Sequence, residues 1–140
     1  MLMQRFKGRR GSSWHRTNFI WLFRGLFYVD LFIPILTYIF GQAFLGGRTA
    51  IASIYRLSNE RYGLKEIDNY LLTRFTKEII HELGHTFGLI HCHVPACVMG
   101  SSTYVEGIDQ KNSNLCIKCQ AELMCELCNS FPELCNAYQH

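Results

Sequence analysis

The residues best equipped for chemistry run from His81 to His91, in the order His-Glu-Leu-Gly-His-Thr-Phe-Gly-Leu-Ile-His, which has the form H-E-x-x-H-x-x-G-x-x-H. On a helix, positions four apart lie one turn apart on one face, so the His81 and His85 imidazoles can reach a single ion. Glu82 stands beside them. Were the helix to run on, His91 would lie about 9 Å further along the axis, far beyond the reach of a zinc–nitrogen bond of about 2 Å. The chain must turn, and Gly88 supplies a residue that tolerates positive φ at the required place. His91 then folds back as the third ligand, leaving a fourth position for water. Three neutral imidazoles leave the charge of the ion undiminished, the condition under which a bound water loses a proton near neutral pH. Glu82 is placed to accept that proton and to deliver it to a leaving amine. His93 rivals His91 because both point the same way in an extended segment, but the spacing from Gly88 favours His91. A lone H-E-x-x-H is often only a charged helix face. For five specified positions on one plausible helix, chance coincidence is on the order of 1 in 10⁵.

All seven cysteines lie beyond the third histidine. An odd count prevents complete intramolecular pairing, and in an intracellular chain such a set points to metal more often than to disulfides. Cys92 directly follows His91, and neighbours in an extended segment point to opposite sides, so two metal sites stand back to back. Cys92 and Cys97 form a C-x4-C pair. Either C-x-x-C pair, Cys116 with Cys119 or Cys125 with Cys128, could complete a four-thiolate structural zinc site. Cys125, Cys128 and the left-over Cys135 could also bind another ion or stay free. A zinc here would staple a C-terminal segment that has too few apolar residues to bury a core. His15 and His140 read as surface residues.

These groups need elements to hold them. Leu72, Phe75, Ile79, Leu83 and Phe87 recur every three or four residues, which predicts a helix from about Asp68 to Phe87 with that stripe facing a core. Asp68 or Asn69 would cap its start and Gly88 its end. Upstream, Phe19–Tyr28 and Asp30–Phe40 read as buried strands, with Pro34 weakening the second. Gly46–Gly47 marks a turn, Ile51–Leu57 alternates as a further strand, and Arg56 to Lys65 is polar and loop-like. Beyond Cys92, glycine, proline and cysteine punctuate an irregular segment, apart from a short helix around Gln120–Cys128.

The chain has 140 residues, 49% of them hydrophobic and 18% charged, the composition of one compact domain and not of a disordered, collagenous or coiled-coil chain. Arg24, Asp30 and Gln42 interrupt the apolar region from Phe19 to Leu45, so no window of about 18 uncharged apolar residues exists to span a membrane. The net charge of +3 hides an asymmetry, because Arg5, Lys7, Arg9, Arg10, Arg16 and Arg24 all precede the first acid, Asp30. A targeting segment is disfavoured, since Arg24 breaks the apolar run and no small-residue cleavage pattern follows. Nucleic-acid binding is disfavoured because the basic residues occupy one short head without aromatic stacking platforms elsewhere. A solvated N-terminus on a cytoplasmic protein is the expectation, with anchoring at a membrane surface the least favoured reading.

The elongated histidine motif resembles that of the metzincin clan of zinc peptidases. Its continuation through Cys92, Cys97, Met99, Cys116 and Cys119 resembles the archaemetzincins in particular, whose third histidine runs directly into a cysteine, then C-x4-C-x-M, then C-x-x-C. The stretch between Met99 and Cys116 is one residue shorter than the family pattern. Asp30–Ala43, Ser53–Leu57, Tyr62–Leu64, Lys77–Cys92 and Asp109–Lys111 also look like archaemetzincin segments. The resemblance therefore divides the chain into a divergent basic N-terminal segment (1–29), a metzincin-like catalytic domain (30–119) that includes a four-cysteine zinc segment (92–119), and a cysteine-containing tail (120–140).

That resemblance implies an α/β (α+β) fold, with a mixed sheet and the zinc helix on one side of a cleft and a small zinc-stapled C-terminal subdomain on the other. It implies two zinc ions: a catalytic one on His81, His85 and His91, and a structural one on Cys92, Cys97, Cys116 and Cys119. Met99 would lie beneath the catalytic ion in a methionine turn. Ala50–Leu57 would form the upper rim of the cleft and pair with an extended peptide, and Gly100–Glu106 would line the pocket for the residue after the cut. The implied function is zinc-dependent hydrolysis of a peptide or protein substrate, with Glu82 as general base and acid.

The competing reading is a zinc-binding structural or interaction protein without activity, because only residues 1–29 precede the matching region, where a metzincin sheet has a strand, a helix and further strands. Asp30-Leu31-Phe32-Ile33 reads as an interior strand needing neighbours on both sides. Either Asn18–Tyr28 supplies a strand beside Asp30–Phe40, or the chain self-associates through a flat apolar edge. Self-association is the expectation, because Arg24 and Gly25 interrupt the substitute strand and no strong two-residue turn joins the two segments.

Overall fold

The computed structural model describes residues 22–65 and 67–132, so the basic head, His15, Cys135 and His140 lie outside the described residues. The elements run β1 (Leu22–Phe27), β2 (Leu31–Ile33), β3 (Leu36–Ile39), β4 (Gly41–Ala43), β5 (Thr49–Ser53), a 3₁₀ turn over Asn59–Tyr62, α1 (Asp68–Thr86), α2 (Val105–Asp109) and α3 (Ile117–Ser130). They make a mixed α+β fold. β5 is the middle of a three-stranded sheet, parallel to β1 and antiparallel to β4. Ala50 and Ala52 of β5 and Gly41 of β4 are buried, and these small side chains let α1 lie close against the sheet. Gly46, at φ +65°, makes the expected turn between β4 and β5.

Asp30–Phe40 is not one interior strand. It folds on itself as the β2–β3 hairpin, with Ile33 opposite Leu36. Pro34 explains the difference: it has no N–H for a ladder, and its fixed φ suits the first central position of a tight turn. The hairpin stands apart as its own two-stranded sheet, and Phe32 is 73% exposed. The N-terminal strand forms over Leu22–Phe27, but its partner is β5 and not the 30–40 segment.

The helix forms over Asp68–Thr86 with Ile67 as its N-cap residue and no side-chain cap. Its apolar stripe is only partly buried: Leu72 is 65% exposed, while Phe75, Ile79, Leu83 and Phe87 are half-buried. Buried polar positions include Arg74, Lys77, Glu78, His81, Glu82 and His85, which recur at the same helical spacing one face round. Apolar periodicity finds a helix, but it misplaces the inward face when that face carries the polar groups of a site.

Polar groups at the inward face are matched by specific partners. The Arg74 guanidinium donates two bonds of 2.7 Å to the Asp109 carboxylate, and further bonds to Leu57 O at 2.8 Å and Asn59 Oδ1 at 2.7 Å. Lys77 Nζ donates to Ile108 O at 3.1 Å and Asp109 O at 3.3 Å, the carbonyl end of α2, where a cation is favoured. Two apolar clusters flank this polar seam. Phe40, Leu57, Val105 and Ile108 pack against Tyr38, Leu71 and Phe75, while Leu89, Cys97, Val98, Met99 and Cys119 pack against Ile80, Leu115 and Leu123. The 3₁₀ turn and α2 lie in stretches read as irregular, and α3 outruns the short helix expected around Gln120–Cys128. Among the described residues no helix is long and apolar enough to cross a membrane.

Candidate active site

α1 places His81 and His85 one turn apart with their Nε2 atoms 3.1 Å from each other. Gly88, at φ +90°, ends the helix direction, and the chain returns so that the His91 ring lies 5.3 Å from that of His81 and 4.9 Å from that of His85. One nitrogen from each ring falls within 4.8 Å of the others. Tetrahedral ligands at zinc–nitrogen bonds of about 2.1 Å stand about 3.4 Å apart, so the donor set fits a zinc ion. His93 is exposed and takes no part.

The tautomers are set by the backbone. His81 Nδ1–H donates to Val98 O at 2.9 Å and His85 Nδ1–H donates to Leu89 O at 2.7 Å, which leaves both Nε2 lone pairs aimed at the shared point. His91 Nε2 is buried without a partner, as expected of a group whose partner is an ion. Burial holds His81 down to about 3 and His91 down to about 4, and lowers His85 as well. All three are therefore neutral, the form that binds a metal.

Glu82 is 1% exposed, and neither carboxylate oxygen has a hydrogen-bond partner. Burial, together with the neighbouring Glu78 carboxyl, pushes it up to about 9. A cation held by the histidines would draw that value back down. Gly41 of β4 closes over Glu82: a methyl group there would stand 2.8 Å from Glu82 Cγ and 2.8 Å from Ile51 O. Met99 is fully buried, with its Sδ against Gly84, where a methyl group would come within 2.4 Å.

The second cluster lies behind the first. Cys92 Sγ is 3.7 Å from Cys116 Sγ, and Cys97 Sγ is 3.8 Å from Cys119 Sγ; all four sulfurs fall within 4.8 Å of one another. Tetrahedral thiolates at zinc–sulfur bonds of about 2.3 Å stand about 3.8 Å apart, so these residues also fit zinc. Cys116 is the N-cap residue of α3, and the Cys119 backbone N–H holds its thiol down to about 7. The Cys92 N–H donates to Met99 O at 2.9 Å, tying the His91–Cys92 pair to the methionine turn. Of the two C-x-x-C pairs, Cys116 and Cys119 are the one that the fold brings beside Cys92 and Cys97. Cys125 is exposed and free, and Cys128 is disulfide-bonded, an oxidised pairing that the cysteine spacing does not suggest.

The cleft strand differs from the expectation. The expected rim is Ala50–Leu57, but β5 is the central strand and has neighbours on both sides; beyond Ser53 the chain turns away. The strand next to Glu82 with an open side among the described residues is β4. Beside it lies a cavity lined by the Thr37–Gly41 stretch, Glu78, His81, Ser102–Tyr104 and Lys111, which places part of the expected Gly100–Glu106 segment at the site. Sequence reading gives Gly41, Glu78, Gly84 and Lys111 no role of their own, although each falls in a segment that carries the family resemblance. Of these, Glu78 alone carries a local signal, lying one turn before Glu82.

Residues 20–125 match the model of Peptidase family M54. The chain is 41% identical over 99 residues to the archaemetzincin of Methanocaldococcus jannaschii, an overlap of 71% of this chain and 55% of that one. The crystal structure of archaemetzincin from Methanopyrus kandleri superposes with a TM-score of 0.67 at 42% identity, over 74% of this chain and 54% of that one. A zinc-dependent peptidase from Methanocorpusculum labreanum superposes with a TM-score of 0.67 at 39% identity, over 70% of this chain and 51% of that one. The chain thus spans about half the length of the curated relatives it matches.

Proposed function

This chain belongs to peptidase family M54, and on that premise we propose that it is a zinc-dependent metallopeptidase acting on peptide or protein substrates. The observation that carries the proposal is the convergence of three neutral imidazoles beside a buried, unpartnered carboxylate. His81, His85 and His91 would hold a catalytic zinc, and Cys92, Cys97, Cys116 and Cys119 a structural one. Zinc bound to the histidines supplies Lewis acidity toward a peptide carbonyl and makes water acidic enough to deprotonate near neutral pH.

The remaining roles fall to the chain. Val98 O and Leu89 O keep the His81 and His85 rings oriented. Glu82 accepts a proton from the attacking water and returns it to the leaving amine. Its burial under Gly41 keeps bulk water from its carboxylate, so the charge it gains acts in a low dielectric. The outer edge of β4 offers backbone N–H and C=O groups to an extended substrate, which would join the sheet as a further strand.

The test is Glu82→Gln with metal content measured in parallel. The amide keeps the size but cannot accept a proton, so turnover of a peptide library should fall by about 10²–10⁴-fold while both zinc ions remain by elemental analysis. Unaltered turnover would remove Glu82 from the mechanism. A wild-type protein that retains its metal and cuts nothing would favour a zinc-binding interaction protein.

A further inference from the structure

Lys111 is a buried amine to which the reaction assigns no role: burial lowers its pKa, and the nearby Glu78 and Glu82 carboxyls favour its charged form through space. It is 8% exposed and lines the cavity beside His81 and Glu78. Lys77 satisfies its ammonium on two carbonyls. Lys111, by contrast, has neither a hydrogen bond nor a carboxylate at ion-pair distance among the described residues. A buried amine that neighbouring carboxyls favour only through space, with no hydrogen bond of its own, keeps its donors free, and in a cleft it marks a candidate functional group. A second observation belongs to the same cavity: Ser102, which also lines it, has a buried Oγ with no partner. Tyr38 and Tyr104 also line the cavity, whose volume of about 100 Å³ has room for one side chain.

We propose that this cavity is a specificity pocket for a carboxylate carried by the substrate residue next to the scissile bond, with Lys111 supplying the charge and Ser102 a hydroxyl donor. The proposal rests on the peptidase reading of the neighbouring site and names its substrate class. A carboxylate entering the pocket would meet an ammonium already stripped of water, the condition in which a charge-assisted hydrogen bond discriminates best. Glu78 is the one acid on the wall. Burial raises its pKa, so it opposes an incoming anion less than a fully ionised carboxylate would.

The test uses the zinc-loaded full chain and peptide hydroxamates, which anchor on zinc through a group common to all probes. In one pair the residue beside the hydroxamate is Glu or Gln. In the other it is neutral, and the chain terminus is a carboxylate or a carboxamide. Dissociation constants are read by calorimetry. The Glu probe should bind roughly tenfold tighter than the Gln probe. Lys111→Met should abolish that preference and Lys111→Arg should keep it, while Gln-probe binding in the same variants reports an intact fold. Discrimination in the terminal pair alone would assign the same pocket to a chain-terminal carboxylate. Equal affinities within both pairs, or a preference that survives Lys111→Met, would overturn the proposal. Discrimination in a protein that cuts no peptide would leave the pocket standing and sink the peptidase reading.

Discussion

Gly84 occupies one of the two unspecified positions between His81 and His85, yet its environment tolerates no side chain. A methyl group there would lie 2.4 Å from Met99 Sδ, and Met99 is fully buried, so neither partner has room to withdraw. Gly84→Ala should cost about 1–3 kcal/mol through overpacking, read as a lower denaturant midpoint. The same scale carries a pH dependence. His81 and His91 are held at about 3 and about 4 in the fold, against 6.5 for an ordinary histidine. Below about 6.5 the unfolded chain binds protons that the folded chain refuses, so stability falls as pH drops from there toward 4. Thermal midpoints of protein freed of its histidine-bound ion should therefore decline from about pH 6.5 downward; a flat profile would contradict the burial of these rings. The three converging histidines are legible because helical spacing and one glycine encode their geometry locally. Gly41 and Lys111 are not, because only long-range pairing brings β4 and the segment after α2 to the helix.

At the scale of elements, α1 is anchored by charge as much as by apolar contact. The Arg74 side chain is 8% exposed and that of Asp109 is 35% exposed, so their pair lies at the boundary of the core. Asp109→Asn would leave the guanidinium bonded to Leu57 O and Asn59 Oδ1 but without its counter-charge. The expected cost is about 2 kcal/mol, measured by urea unfolding, with α2 losing amide protection first. An unchanged midpoint would show that the neutral bonds alone hold α2 in place. The inward face of α1 illustrates where pattern reading fails. Its buried residues are polar because they build a site, and a method that seeks apolar stripes looks one face away. The hairpin at Pro34 escapes for a different reason: an apolar run of strand length carries no mark of whether it continues straight or doubles back. Proline is the available signal, and its missing N–H suits a weakened strand as well as the turn it makes here.

The whole molecule presents more apolar surface than its core requires. Leu26, Tyr28, Val29, Phe32 and Ile35 are all exposed, and β1 has no second neighbour among the described residues. Such an edge invites pairing between copies. The hydrodynamic radius should rise with concentration in light scattering, and the joint change Phe32→Ser and Ile35→Ser should reduce that rise. A monodisperse species across the concentration range would show that these residues are covered in solution. The adjacency of His91 and Cys92 acts at the same scale. Were an ion held on each side, a single peptide unit would belong to two coordination spheres. Ordering that unit for one ion spares the other the same entropic cost, and by thermodynamic reciprocity the benefit runs equally in both directions. Two ions so held would load as a cooperative pair. Scarcity of zinc would divide a population of this protein into fully charged and empty molecules, with few half-filled ones between them.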